Sequence, residues 1–81
     1  MDFPLLIPAQ LGIALRSRRK ALGLTQAQAG SRVGLLPKTV SALENHPERA
    51  GLDSLYKLIS ALELELYLSP RPPASEREGE W

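Results

Sequence analysis

Apolar residues recur at helical spacing from Pro8 to Leu62 and then change to alternation, so the pattern predicts an all-α domain with a different kind of ending. A first helix is predicted to open at Pro8, a first-turn residue whose missing N–H would be unpaired there anyway. Leu11, Ala14, Leu15, Arg18 and Leu22 follow its spacing, and Gly23 is placed to close it. Thr25-Gln26-Ala27-Gln28 offers a capping box for a second helix over Gln26 to Val33, ended by Gly34, with Leu35 buried in the turn. A third helix opens at Pro37 and runs through Val40 and Leu43 to Asn45, where His46-Pro47 forces an exit. Asp53 is expected to cap a fourth, carrying Leu55, Leu58, Ile59 and Leu62 on one face with Leu52 packed in front.

From Leu62 the period changes. Leu62, Leu64, Leu66 and Leu68 alternate with Glu63, Glu65 and Tyr67, which reads as a short strand with one buried face. A lone strand in a helical chain has nothing to pair with, and the same strand of a second copy would satisfy it, giving a homodimer. The competing reading continues helix four through this run, since Leu and Glu favour helix. Residues 1–7 form an N-terminal arm, 8–68 the domain, and 69–81 a Pro-rich polar tail expected to be disordered in isolation.

At 81 residues there is room for one domain. A chain this short buries only about 60–65% of the surface its unfolded form exposes, so help from a partner is plausible. The absence of cysteine excludes a disulfide framework, a thiolate zinc site and a cysteine nucleophile. The N-terminal apolar run is short, broken by Pro and preceded by an acid, unlike a signal or a membrane span, which points to a cytoplasmic protein. Net charge is +1, yet between Pro8 and Lys57 eight Lys and Arg face three acids, while the remaining acids gather at the two ends. A basic body with acidic ends fits a polyanion binder, although a solvated basic helix face would look the same. No catalytic constellation is visible: His46 sits alone in a loop, and no Gly-rich phosphate loop appears, so neither an enzyme nor a cofactor is expected.

The segment TQAQAGSRVGLLPKTVSALEN has the order of a short helix, a Gly turn and a second helix that can be projected into a major groove. Here the chain resembles the Xre-type repressors related to the phage repressors, through Leu24-Thr25-Gln26, Gly34, Thr39-Val40-Ser41 and Glu44-Asn45. Within that family it is similar to the HipB-like antitoxins, which pair with HipA-like toxin kinases. Pro8-x-Gln10-Leu11, Glu44-Asn45-x-Pro47, the Leu62-Glu63-Leu64 run and the terminal Glu80-Trp81 carry that likeness. The resemblance implies a four-to-five-helix fold, a repressor that silences its own operon, and a toxin kinase as partner.

Base reading is expected from the exposed start of helix three, at Lys38, Thr39, Ser41 and Ala42. Lys38 suits the two acceptors of a guanine, or equally a phosphate, while Thr39 or Ala42 could meet a thymine methyl. Thr25 and Gln26 at the start of helix two are candidate phosphate contacts, with Thr25 also a plain cap. The resemblance adds Asn45 as a phosphate contact, a C-terminal cap being its alternative, and an ion pair between Arg19 and Glu44. It implies that Trp81 contacts the partner, an aromatic suited to fill a pocket, whereas the bland alternative is an exposed end. Arg16, Arg18, Lys20 and Arg32 default to solvated positions, from which one or two could reach the DNA backbone.

The chain departs from the pattern at Leu36 and Pro37, where residues able to cap or touch DNA are usual, so the operator cannot be carried over. It also has Ala29 and Gly30 where larger residues are usual, which suggests a marginal second helix. A dimer would read an inverted repeat with half-sites about one helical turn apart. The rivals are a stand-alone Xre regulator without a toxin, and an interaction adaptor that no longer binds DNA.

Overall fold

The structure, a computed structural model, describes residues 4–73. Four α-helices follow one another: α1 (Pro8–Ala21), α2 (Gln26–Ser31), α3 (Pro37–Asn45) and α4 (Leu52–Ala61), with a 3-10 turn at Pro47–Arg49 between the last two. Helix α1 starts at Pro8, and Gln10 folds its side chain back so that Oε1 accepts the Leu6 and Ile7 amides at 2.6 and 3.1 Å. It stops at Leu22, after which Gly23 turns left-handed and the amides of Gly23 and Leu24 donate to Lys20 and Arg19. The capping box at Thr25 is complete: Thr25 Oγ1 accepts the Gln28 amide and Gln28 Oε1 accepts the Thr25 amide. Helix α2 is shorter than its periodicity suggests, because the amides of Val33 and Leu35 both turn back to the Gly30 carbonyl.

The core is a small apolar knot to which every helix contributes: Leu15 from α1, Ala29 from α2, Val40 and Leu43 from α3, Leu58 from α4 and Leu62 just past its end. Burial of each leucine contributes about 1.5–3 kcal/mol. Two glycines set how closely the helices approach. A Cβ on Gly12 would collide with the backbone carbonyl of Glu44, and one on Gly30 with the carbonyl of Leu35.

Gly30 is therefore a packing requirement rather than a weak point in α2. Gly30→Ala is expected to destabilise by about 1–3 kcal/mol, because the obstacle is backbone and cannot rotate aside. Helix propensity alone would give a gain of about 0.5–1 kcal/mol. A thermal melt decides between the two by the sign of the change.

Several expectations change at α4. Gly51, not Asp53, holds the N-cap position. Asp53 lies inside the first turn, where it suits the helix dipole and pairs with Lys57 at 3.2 Å. Leu52 is the first helical residue and is exposed rather than packed in front.

The alternating leucines also divide. Helix α4 does not continue through them: Glu63 adopts a left-handed conformation with φ of 57°, and the amides of Glu63 and Leu64 fold back to Ser60 and Ile59. Leu62 is fully buried in the core and Leu64 half-buried, whereas Leu66 and Leu68 are exposed. Among the described residues there is no strand, and a strand paired across two copies would find no partner within one chain. Leu62 thus leaves the predicted strand row, because the turn at Glu63 breaks the alternation behind it.

Arg18 and Arg32 are not idle solvated cations either. Arg18 Nε donates to the Leu62 carbonyl and Arg32 Nη1 to the Ala61 carbonyl, each at 3.0 Å. Helix α1 and the residue just past the end of α2 thus supply cationic donors to the carbonyl end of α4, where the helix dipole favours them.

Candidate nucleic-acid interface

Helix α3 has two faces set by its spacing. Val40, Leu43 and Glu44 are buried against the rest of the domain. Lys38, Ser41, Ala42 and Asn45 fall one turn apart on the opposite side, where with His46 they line a shallow open concavity. Thr39 is half-buried at the flank of this face. The start of α3 has little free polarity despite Leu36 at the cap. Pro37 has no N–H, and the amides of Thr39 and Val40 both donate to the Leu36 carbonyl, at 2.9 and 3.2 Å.

Lys38 is exposed and forms no hydrogen bond or ion pair, so its ammonium extends freely from the first turn. Arg16, Lys20 and Arg49 are equally uncommitted, while Arg18, Arg19, Arg32 and Lys57 are engaged within the domain. Asn45 turns inward along its own helix: Nδ2 donates to the Ser41 carbonyl at 2.9 Å and to Ser41 Oγ at 3.2 Å. These two bonds hold the Asn45 amide against the Ser41 hydroxyl.

Behind this face sits the ion pair. Arg19 Nε donates to Glu44 Oε2 at 2.6 Å and Nη2 to Oε1 at 3.1 Å, a bidentate fork with both residues buried. Arg19 Nη1 also donates to the Leu24 carbonyl, and Gln26 Nε2 donates to Glu44 Oε1 at 3.2 Å. The ion pair therefore ties α1, the α1–α2 turn, the start of α2 and α3 into a single unit, the turn through the guanidinium and α2 through the carboxylate. The hydrogen bond to Glu44, opposed by burial and aided by the carboxylate charge, raises the Arg19 pKa above its ordinary range. A raised pKa adds stability that is complete below the ordinary value and is lost only as pH climbs through the raised one. The guanidinium thus stays charged throughout the neutral range.

Gln26 differs from its expected outward role, since its amide nitrogen is turned to Glu44, whereas Thr25 stands exposed at the same helix start. The Gln26 contact spans 18 residues of sequence, and no local spacing rule points to it. Trp81 lies outside the described residues. Among the described residues there is no cluster of His, Asp or Glu that could hold a metal ion, and no helix long and apolar enough to cross a membrane.

A short capped helix, a glycine turn and a second helix with an outward polar face, braced from behind by a buried ion pair, define a helix-turn-helix domain. The chain belongs to the helix-turn-helix family, whose model matches residues 15–68, and within it to the HipB antitoxins. It is 32% identical over 79 residues to antitoxin HipB of Escherichia coli O6:H1, across 91% of this chain and 84% of that relative. It is 32% identical over 73 residues to antitoxin HipB of Escherichia coli K12, across 90% and 83%. Among solved structures, a HipA-HipB-O2-O3 complex superposes with a TM-score of 0.84 at 28% identity, covering 88% of this chain and 100% of that one. A HipB-O4 20mer complex superposes at 0.83, again with 28% identity over 88% of this chain and 100% of that one.

Proposed function

We propose that this chain is a sequence-specific DNA-binding repressor, the antitoxin of a HipA-like toxin kinase, and that it silences its own operon. The observation that carries the reading is the outward face of α3, Lys38, Ser41, Ala42 and Asn45, held rigidly by the Arg19–Glu44 pair in a chain of HipB type. Lys38, Thr39, Ser41 and Ala42 read bases in the major groove, and Thr25, Gln26 and Asn45 meet phosphates on either side. Gln26 does so through its backbone amide at the start of α2, since its side chain serves Glu44. The chain acts by binding and not by catalysis, in the cytoplasm where its operon lies.

Two copies pair through the segment after α4, where Leu66 and Leu68 are exposed and unsatisfied within one chain, and the dimer reads an inverted repeat. Trp81, at the end of the acidic tail, fills a pocket of the kinase. The solved HipB complexes with HipA and with a 20mer support both partners.

The test is co-purification of the tagged chain with the product of the gene beside its own, followed by gel shift on their shared upstream DNA. A kinase-like partner and a shift support the reading. A shift without a partner indicates a stand-alone regulator, and neither result indicates an adaptor that no longer binds DNA.

Lys38→Ala carries a sharper expectation. If the ammonium meets a base, its removal costs about 1–3 kcal/mol on the operator and relaxes preference at one position. If it meets a phosphate, its removal weakens binding to all sequences alike and lowers the salt slope by about one. Titrations against operator and scrambled duplex separate the two roles.

A further inference from the structure

The exit of the chain from α4 is held more tightly than an ordinary helix end. Arg18 reaches from α1 to the Leu62 carbonyl, and Arg32, just past the end of α2, reaches to the Ala61 carbonyl. Arg32 also lies 3.4 Å from Glu63 Oε2, and Glu63 is the single non-glycine residue with positive φ among the described residues. Leu62 on one side of this turn is fully buried, and Leu66 two residues beyond Leu64 is exposed. Leu62 is thus fixed in the core, Leu64 still packs half-buried against it, and the later leucines, Leu66 and Leu68, are exposed.

From this geometry we infer that Arg18 and Arg32 are positioning residues that couple the reading unit, α2 and α3, to the segment leaving α4. They set how the two reading heads of the dimer face each other. Arg32 joins the end of α2 directly to the Ala61 carbonyl, and Arg18 adds a second tether from α1 at the Leu62 carbonyl. The last turn of α4 and the entry to the Glu63 turn are thus held from two sides, while the Leu64 amide, bonded to the Ile59 carbonyl, closes the turn itself. Two tethers from different sides fix a direction, where one would leave a hinge. The inference rests on the dimer proposed above, and it removes both arginines from the set that meets DNA, leaving Arg16, Lys20, Lys38 and Arg49 as the free cations of the body.

The chain has no cysteine, so one introduced thiol labels each protomer once. Ala27→Cys, on the exposed side of α2, carries a nitroxide, and pulsed electron resonance on the full chain reads the distance between the two labels. The otherwise unaltered chain is expected to give one narrow distance. With Arg18→Met and Arg32→Met together, the joint becomes linker-like and the distribution widens about twofold while the helical circular dichroism persists. Arg32→Met alone is a second, milder variant: it leaves the Arg18 tether on the Leu62 carbonyl and widens the distribution by less than the pair does, with a cooperative thermal melt showing that the fold is kept.

An unchanged narrow distribution in both variants overturns the inference and leaves the dimer standing. No inter-label distance in the parent overturns the dimer reading and the inference with it.

Discussion

Glu44→Ala is expected to cost about 3–5 kcal/mol, the loss typical of breaking a buried charge pair from one side. For a domain of this size each kcal/mol moves the melting temperature by about 4–8 °C, so a fall of about 12–40 °C is expected. The reason is not the strength of the pair itself, since desolvation offsets much of its attraction. Arg19 is only 8% exposed and would keep its full charge, now with nothing but the Leu24 carbonyl to accept its protons. Gln26 loses its acceptor at the same stroke. Thermal melts of Glu44→Ala and Glu44→Gln separate the contributions: the amide keeps one acceptor oxygen and should recover part, not all, of the loss. A melting temperature unchanged in Glu44→Ala would show that the carboxylate does not hold α3 to α1.

Leu62→Ala should cost about 2–5 kcal/mol, the range for emptying a fully buried leucine site. Leu62 sits in the core at 0% exposure, and its carbonyl is the one that Arg18 holds, so a cavity there also loosens the anchor of the exit turn. Leu68→Ser, 97% exposed, should leave the stability of the single domain within about 0.5 kcal/mol of the parent, as for surface substitutions generally. Its effect should emerge instead in self-association, read by sedimentation over a range of concentrations. Equal losses of stability at both positions would mean that the leucine run acts as one buried row.

These two positions also show how far the sequence can be read. The starts and stops of α1 to α3 are legible because they rest on local chemistry: Pro8 and Pro37 at first turns, the Thr25–Gln28 box, Gly23 and Gly34 with positive φ. The outward face of α3 is legible for the same reason, as residues one turn apart share a side.

The end of α4 is not, since a left-handed Glu63 carries no glycine to announce it, and the alternation of leucines continues across the turn as though nothing had happened. The tethers from Arg18 and Arg32 are hidden because their acceptors lie 44 and 29 residues away. Gly30 looks like a cost in the sequence because the carbonyl that demands it belongs to a turn whose path only the fold reveals.

Sequence-specific repression is tested by titrating the purified chain with fluorescent duplex from the region upstream of its own gene, at several salt concentrations. Binding is expected to be on the order of 10³-fold or more tighter than to scrambled duplex. Log affinity should fall linearly with log salt as phosphate contacts release counterions. Equal affinity for both duplexes, or no binding to either, would rule out a chain that reads its own operator.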